Sequence, residues 1–400
     1  MADFESRRII EALRSGISSH EVGLYFSSAR PKIMREIQET LDRVASEGAS
    51  GGRVITGKYG EGKTHLLNTV RGIAQTQNMV VSVVTISKET PLSTIALLYA
   101  KIIQGTYLPG YLQPGIAPAL DRLSLAAPPA PSLLEYSLTH LMTNKIYYLL
   151  KSFLGTQDDE EKYLLGSDFD GDFIAPAMLR KIYRRIFGES AVFNGNFVKT
   201  KHCFDYISFL AKCFRMLGYS GWVILFDEAE LIGRLSRISR MKAYLAMYGF
   251  LKPTQWESVY SIFAMGASFI PDVLEAKQEY LGVEQSEKLY PAEKSCINEA
   301  LAEIENATQL TPLTREETAD VLAKILVYHG RAFDWEPKMD KDDFMRATDP
   351  YGYLLRTRIR AAIEMLDQLY QYGEIGDIRA NELGDIQFTE ENDVSLDEFV

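Results

Sequence analysis

Apolar residues recur at helical spacing through residues 5 to 46, first as Ile9, Ile10 and Leu13 and then as Ile33, Ile37 and Leu41. That period predicts two amphipathic helices. The stretch between them, GISSHEVGLYFSSAR, is rich in turn formers and reads as a connector. The pattern then changes. GGRVITGKYGEGKTHLLNTVRGIA runs from a short β-rich piece through glycines into a helix, and MVVSVVTIS, Met79 to Ser87, has the β-branched run of a buried strand. Strand, glycine loop, helix, strand is the βαβ unit of a parallel sheet.

From Gly105 to Pro131 prolines and small residues take over (LPGYLQPGIAPAL, AAPPAPS), which regular helix or strand does not tolerate for long. Residues 132 to 217 return to a helical pattern around an acidic loop, QDDEEKYLLGSDFDGDF, so 105–217 reads as a large helical insertion. The sheet resumes at GWVILFDEAE and VYSIFAMGAS. After Pro312, helical periodicity reappears in TREETADVLAKILVYHG and YLLRTRIRAAIEMLDQLYQYG. The expected organisation is an N-terminal helical segment (1–50), an α/β core (51–310) carrying the insertion, a small C-terminal helical lid (311–372) and a loosely held acidic tail (373–400).

Composition bears on compartment and partners. With 46% apolar residues in 400, the chain can bury a large core, and its length suits two or three lobes. Charged residues interrupt MADFESRRIIEALRSG where a secretory signal needs an apolar core, and no run reaches the roughly 18 apolar residues of a membrane span. A cytoplasmic location and no membrane partner are therefore expected. Cys203, Cys213 and Cys296 lie far apart without a CxxC pair and are expected to be buried thiols. The formal charge of -11 argues against a protein coated in nucleic acid, leaving at most a local basic patch for DNA.

The chemistry concentrates in GKYGEGKTH, Gly57 to His65, which fits GxxxxGK[ST]. Phosphate binding needs a concave ring of backbone N–H groups, and Gly57, Gly60 and Gly62 let Lys58, Tyr59 and Glu61 wrap closely enough to supply it. The helix starting near Lys63 points its positive end at the same place. Lys63 would bridge the β- and γ-phosphates of ATP, and the Thr64 hydroxyl would hold Mg²⁺. A second motif, VILFDEAE, ends an apolar strand in acids, as expected where the strand's carboxyl end opens on a ligand crevice. Asp227 would complete the Mg²⁺ shell, and Glu228 would polarise the attacking water. In SIFAMGASFIPDVL, Ser268 stands at another strand end, placed either to reach the γ-phosphate or simply to form a turn.

A base reader of the NKxD type is missing, since Asn144-Lys145-Ile146-Tyr147 lacks the acid, so GTP specificity is not expected. A small-molecule kinase would require neither the tandem Asp-Glu nor a helical lobe after the sheet. The combination points to a hydrolysing ATPase of the AAA+ kind. Such an engine uses an arginine from the lid or a neighbouring subunit. Candidates are Arg356, Arg358 and Arg360 in the lid, and Arg234, Arg237 and Arg240 after the acidic motif, each of which could equally lie on a solvated or salt-bridged face. MLRKIYRRIFG groups Arg180, Lys181, Arg184 and Arg185 on a helix suited to phosphates or, more ordinarily, to a charged outer face. DFDGD fails as a calcium loop because Gly171 falls at the fourth place and Leu179 at the twelfth.

With these residues in place, the chain resembles the ATP-binding proteins of bacterial BREX-type phage-exclusion systems, the BrxD-like group. The resemblance lies in RRIIEALRSGISSHEVGLYFSSAR, GKYGEGKTHLL, TISKETPLSTIALLY, LFDEAE and IRAAIEMLD, and is firmest over 5–105 and 220–240. It implies an AAA+/ORC-like P-loop ATPase module working with other defence components, with Arg30 in a pre-loop segment near the adenine. One departure is that MGASFIPDVL leads into EKLYPAEKSCINEA without the arginine-bearing segment typical there. The leading expectation is an Mg²⁺-dependent ATPase driving conformational change in an assembly. An ATP-dependent switch or scaffold with little turnover and a clamp-loader-like DNA remodeller are the alternatives, and a homo-oligomer is compatible with each.

Overall fold

The computed structural model describes residues 3–15, 23, 30–352 and 355–378. Most of the connector GISSHEVGLYFSSAR, and the acidic tail beyond residue 378, lie outside the described residues. The strands are β1 (Gly51–Gly57), β2 (Val80–Thr85), β3 (Thr106–Tyr107), β4 (Trp222–Asp227), β5 (Val259–Gly266) and β6 (Thr308–Gln309). They form one sheet in the order β3-β2-β4-β5-β1-β6, parallel except for the antiparallel edge strand β3. The strand carrying the glycine loop is thus separated from the acidic strand by β5 alone.

Both faces of the sheet are covered, which is why β4 reads as an unbroken apolar run and is buried throughout. Alternate residues serve opposite sides. Ile55, Val81, Val223, Leu225 and Ile262 pack with α2 (Pro31–Glu47) and α3 (Lys63–Thr76). Val54, Val80, Ile224, Phe226 and Phe263 face the larger core, which takes in α4 (Ile95–Gln104) and the helices on that side. Phe226 and Phe263 stack there with ring centroids 4.4 Å apart, fixing β4 against β5 on the side away from the loop helix.

The region expected as an insertion holds α5 (Ala117–Leu120), α6 (Ala130–Thr139), α7 (Lys145–Gly155), α8 (Asp159–Asp170), α9 (Pro176–Phe187) and α10 (Lys199–Met216). Its two ends belong to the core. Thr106 and Tyr107 extend the sheet as β3, and α10 buries Cys203, Tyr206, Phe209, Leu210 and Phe214 against it. The segment expected as an acidic loop is mostly helix: Asp158 caps α8 by accepting from the Glu161 N–H at 3.0 Å, and Asp159, Glu160 and Glu161 occupy the first turn. Acids there complement the helix dipole, so local charge density was a start signal for helix. Cys203 and Cys213 are buried as expected, whereas Cys296 is partly exposed.

Asp168, from the DFDGD string, is fully buried and accepts from the Lys145 ammonium at 2.5 Å and from the Tyr206 hydroxyl. That pair ties α7 to α8 inside an aromatic cage, with the Lys145 Nζ 4.1 Å from the Phe197 ring centroid.

Between β4 and β5 runs α11 (Arg237–Leu251) on the sheet's large-core side; beyond β5 follow α12 (Glu279–Glu284) and α13 (Pro291–Glu305), and then the helices of the segment expected as the lid: α14 (Arg315–Phe333), α15 (Lys341–Thr348) and α16 (Leu355–Tyr372). The first helix, α1 (Phe4–Arg14), joins the lid, burying Ile9, Ile10 and Leu13 with Val321, Leu322, Ile325 and Ile363. Arg14 adds a bidentate pair to Asp367 on α16, at 2.7 and 3.1 Å. Residues 1–50 are therefore divided, with α1 on the lid and α2 on the sheet. The helical period was correct for each, but period does not say which partner a buried stripe meets.

Replacing Lys145 by Met leaves Asp168 as a buried uncompensated charge, and should cost about 3–5 kcal/mol in denaturant unfolding. The double variant Lys145→Met/Asp168→Leu should recover most of that loss; equal destabilisation of single and double variants would show that the pair's charge balance is not what the cluster depends on.

Candidate nucleotide site

The loop after β1 turns on Gly60 (φ 84°) and Gly62 (φ 89°), both in the left-handed region that glycine enters without strain. Gly57 is required for space, since a Cβ there would stand 3.1 Å from both Glu61 Oε2 and Leu310 Cβ. The loop is braced from inside. Glu61, 5% exposed, accepts from the Lys58 N–H at 2.7 Å through its carboxylate and returns its own N–H to the Lys58 carbonyl at 3.2 Å. Its side chain is thereby committed to the loop's shape, and any contact it offers a phosphate comes from its backbone. Lys58 is exposed, Tyr59 half-buried, and His65 lies in the first turn of α3 with its carbonyl accepting from Thr69 Oγ1 at 3.0 Å.

Lys63 opens α3 and donates through Nζ to the Gly57 carbonyl at 2.9 Å. The same carbonyl accepts the Ala267 N–H, just past β5, at 3.0 Å. One backbone oxygen therefore joins the glycine loop, the lysine and the end of the neighbouring strand. The Thr64 hydroxyl donates to Asp227 Oδ2 at 2.6 Å, and Asp227 Oδ1 accepts the Glu228 N–H at 3.0 Å. Asp227 is 7% exposed at the end of β4. Two motifs distant in sequence thus meet side chain to side chain.

Glu228 takes a left-handed backbone (φ 59°), which for a non-glycine residue costs about 1–3 kcal/mol and turns the chain sharply off the strand. Burial raises its pKa, the Asp227 charge adds to the rise, and Lys63, Arg234 and Arg356 oppose it. The half-buried carboxylate thus lies in the field of cations on the loop helix, on its own turn and on α16. Ser268 stands two residues beyond β5, its carbonyl accepting the Asp272 N–H at 2.9 Å.

The six arginines separate clearly. Arg356, near the start of α16, donates from its backbone to the Gly60 carbonyl at 3.3 Å and from Nη1 to the Tyr59 hydroxyl at 2.5 Å. Arg358 is 8% exposed and occupied with Asp349 at 2.8 Å and Thr348 at 3.1 Å, inside the lid. Arg360 is half-buried one turn farther along the helix from Arg356. Of the other set, Arg234 acts on Glu228, Arg237 is exposed, and Arg240 is buried in an ion pair with Glu279 at 2.7 Å. Helical spacing alone put all six on an equal footing, because it ignores which neighbours each guanidinium meets.

Arg30 was expected near the adenine side of the loop. Its Nη2 donates to the Glu61 carbonyl at 2.7 Å, its Nη1 to the Thr311 carbonyl, and its backbone N–H to Glu317 at 3.2 Å. It bridges the loop to the first residues of the lid. Tyr59, expected as a loop residue, is also the partner of Arg356, and one residue not singled out from the sequence enters the site: Glu230, buried behind the acidic turn. The third residue after Asp227 carried the available signal, an acid on a turn leaving an otherwise apolar strand.

Among the described residues no group of three or more His, Cys, Asp or Glu is spaced to hold a metal ion. Thr64 and Asp227 fit Mg²⁺ better than a caged metal, since Mg²⁺ is held by one or two protein oxygens and completes its shell with water and phosphate.

The model of a family described as BREX system ATP-binding protein BrxC/D matches residues 2–110 and 193–380. The chain belongs to this family. The match omits 111–192, which lies between β3 and α10. A similar solved structure is the crystal structure of Cdc6p from Pyrobaculum aerophilum, at 8% identity and a TM-score of 0.34, with 87% of this chain and 64% of that chain covered. The chain therefore spans somewhat under two thirds of the length of that structure. No curated protein matches the chain. The strand order, the glycine loop on β1 and the acids on β4 give the BREX family member a mixed α/β fold, a mostly parallel sheet flanked by helices with a P-loop at the end of β1. No described helix is long and apolar enough to cross a membrane.

Arg30→Ala removes two hydrogen bonds donated by a charged side chain, and should lower unfolding stability by about 1–3 kcal/mol. Hydrogen exchange should quicken at residues 58–62 and 311–317 together. Faster exchange in the lid alone would show that Arg30 does not join the two.

Proposed function

We propose that this BREX family member is an Mg²⁺-dependent ATPase whose lid reports the state of the nucleotide to an assembly. The observation that carries the reading is the 2.6 Å hydrogen bond between Thr64 and Asp227, with Lys63 and Glu228 on either side. Backbone N–H groups of the loop from Gly57 to Gly62, and the start of α3 at Lys63, Thr64 and His65, receive the phosphates. Lys63 neutralises charge between the β- and γ-phosphates. Bound Mg²⁺, held by Thr64 and Asp227, would supply further neutralisation of the phosphate oxygens. Glu228 orients the attacking water and accepts its proton, a role that its raised pKa favours.

Arg356 is the lid arginine best placed to sense the γ-phosphate, because its backbone and side chain already reach Gly60 and Tyr59. Arg358 has a structural role, while Arg360 and Ser268 stay secondary candidates. The partners of this reading are other components of the defence system in the cytoplasm. DNA is supported less: in the basic helix α9, Arg180 donates to the Ala191 carbonyl at 3.3 Å and Arg185 pairs with Glu161. A second reading, an ATP-gated scaffold with little turnover, draws support from segment 111–192, which the family match omits.

Lys63→Ala should abolish ATP binding. Glu228→Gln should keep binding while lowering turnover by about two to four orders of magnitude. Arg356→Ala should lower kcat by about tenfold with a smaller change in ATP affinity. Hydrolysis by Glu228→Gln at the parent rate would contradict the role given to Glu228. Tight ATP binding with negligible phosphate release by the parent chain would favour the scaffold.

A further inference from the structure

Glu230 lies on the short 3-10 turn Ala229–Arg234 that follows Asp227 and Glu228. It is 3% exposed, and its Oε2 is buried without a hydrogen-bond partner. Its other oxygen is turned toward the end of β5: a Cβ built on Gly266 would stand 3.2 Å from Oε1, and the Gly266 backbone hydrogen-bonds the carboxyl. Gly266 pairs in register with Gly57, and the Ala267 N–H donates to the Gly57 carbonyl that also takes Lys63 Nζ. The carboxyl thus stands at one end of a connected series that runs through the tip of β5 to the phosphate-binding lysine.

Leaving one oxygen of a buried carboxyl unpaired is costly, and an apolar residue of similar size would fill the space without that penalty. A side chain at 266 would press on the carboxyl, whereas glycine leaves it room. The charged groups acting on Glu230 are Lys63 at the start of α3 and Glu228 on its own turn; Lys277, beyond β5, is engaged with the Gly233 carbonyl at 3.0 Å.

We infer that Glu230 is a positioning residue of the nucleotide site, holding the tip of β5 against the phosphate loop so that Lys63 and residues 266–268 are set as one unit. The inference rests on the ATP-site reading given above. Burial pushes the Glu230 carboxyl up to about 7, with Lys63 opposing and Glu228 adding to the rise. Near neutrality the group therefore gains charge as pH rises, placing a second negative charge beside Lys63. ATP, which is strongly anionic, should then bind more weakly.

The test uses the full chain, with ATP and Mg²⁺ as the probe, and compares the parent with Glu230→Gln and Glu230→Ala from below to above pH 7. In the parent, ATP affinity should fall by about threefold to tenfold across that range beyond the change seen in Glu230→Gln, which has the shape of the neutral acid and cannot charge. Glu230→Ala, which frees the tip of β5, should lower kcat by about tenfold with little change in KM. Superimposable pH curves for the parent and Glu230→Gln would overturn the proposal, even if Glu230→Ala fails to fold. If the parent binds ATP but releases no phosphate, the hydrolysis reading falls, and the affinity curves still decide the role of Glu230. If it binds no ATP at all, both fall.

Discussion

The 2.6 Å contact between Thr64 and Asp227 can form only if the carboxyl ends of β1 and β4 are held in fixed register across β5. Their registers ensure this: Gly57 lies opposite Gly266, and Phe226 opposite Phe263. The two cores hold those registers from opposite sides. The stacked pair Phe226–Phe263 fixes β4 to β5 on one face, and Val223, Leu225 and Ile262 pack with the glycine-loop helix on the other. A slip of one residue would send every side chain to the wrong face and part the hydroxyl from the carboxylate. The chemistry of the site is therefore a consequence of sheet packing.

From the same loop the coupling to the lid can be followed through backbone atoms. Gly60 and Glu61 present carbonyls to Arg356 and Arg30, and the lid's own core is closed by α1 from the other end of the chain. Movement of the glycine loop changes the acceptors that two lid contacts depend on. On the function proposed above, these short hydrogen-bonded connections would carry a local change at the loop into the packed helical unit.

The glycine loop and the acidic strand end that meets it were legible in the sequence because their requirements are local. Glycines at 57, 60 and 62, the lysine and hydroxyl after them, and two acids ending an apolar strand each answer a constraint within a few residues. What escaped depends on three-dimensional neighbours. Nothing in the helical period of Ile9, Ile10 and Leu13 says that they bury against the lid, and nothing in RTRIR distinguishes Arg356 at the loop from Arg358 inside the lid. The acidic stretch from Gln157 to Phe173 looked like a loop because its charge was weighed as solvation. Those same charges cap and open a helix, and one of them, Asp168, is buried opposite Lys145. Glu230 was hidden in plain view, since burial of an acid beside a strand tip is a property of the fold alone.

The measurement that bears most directly on the central claim is ATP affinity and phosphate release by the purified chain, in Mg²⁺ and in chelator. If Thr64 and Asp227 form a magnesium-assisted hydrolytic site, phosphate release should require the cation, and ATP should bind about tenfold or more tightly in its presence. Equal affinity and equal release with and without the cation would contradict the account.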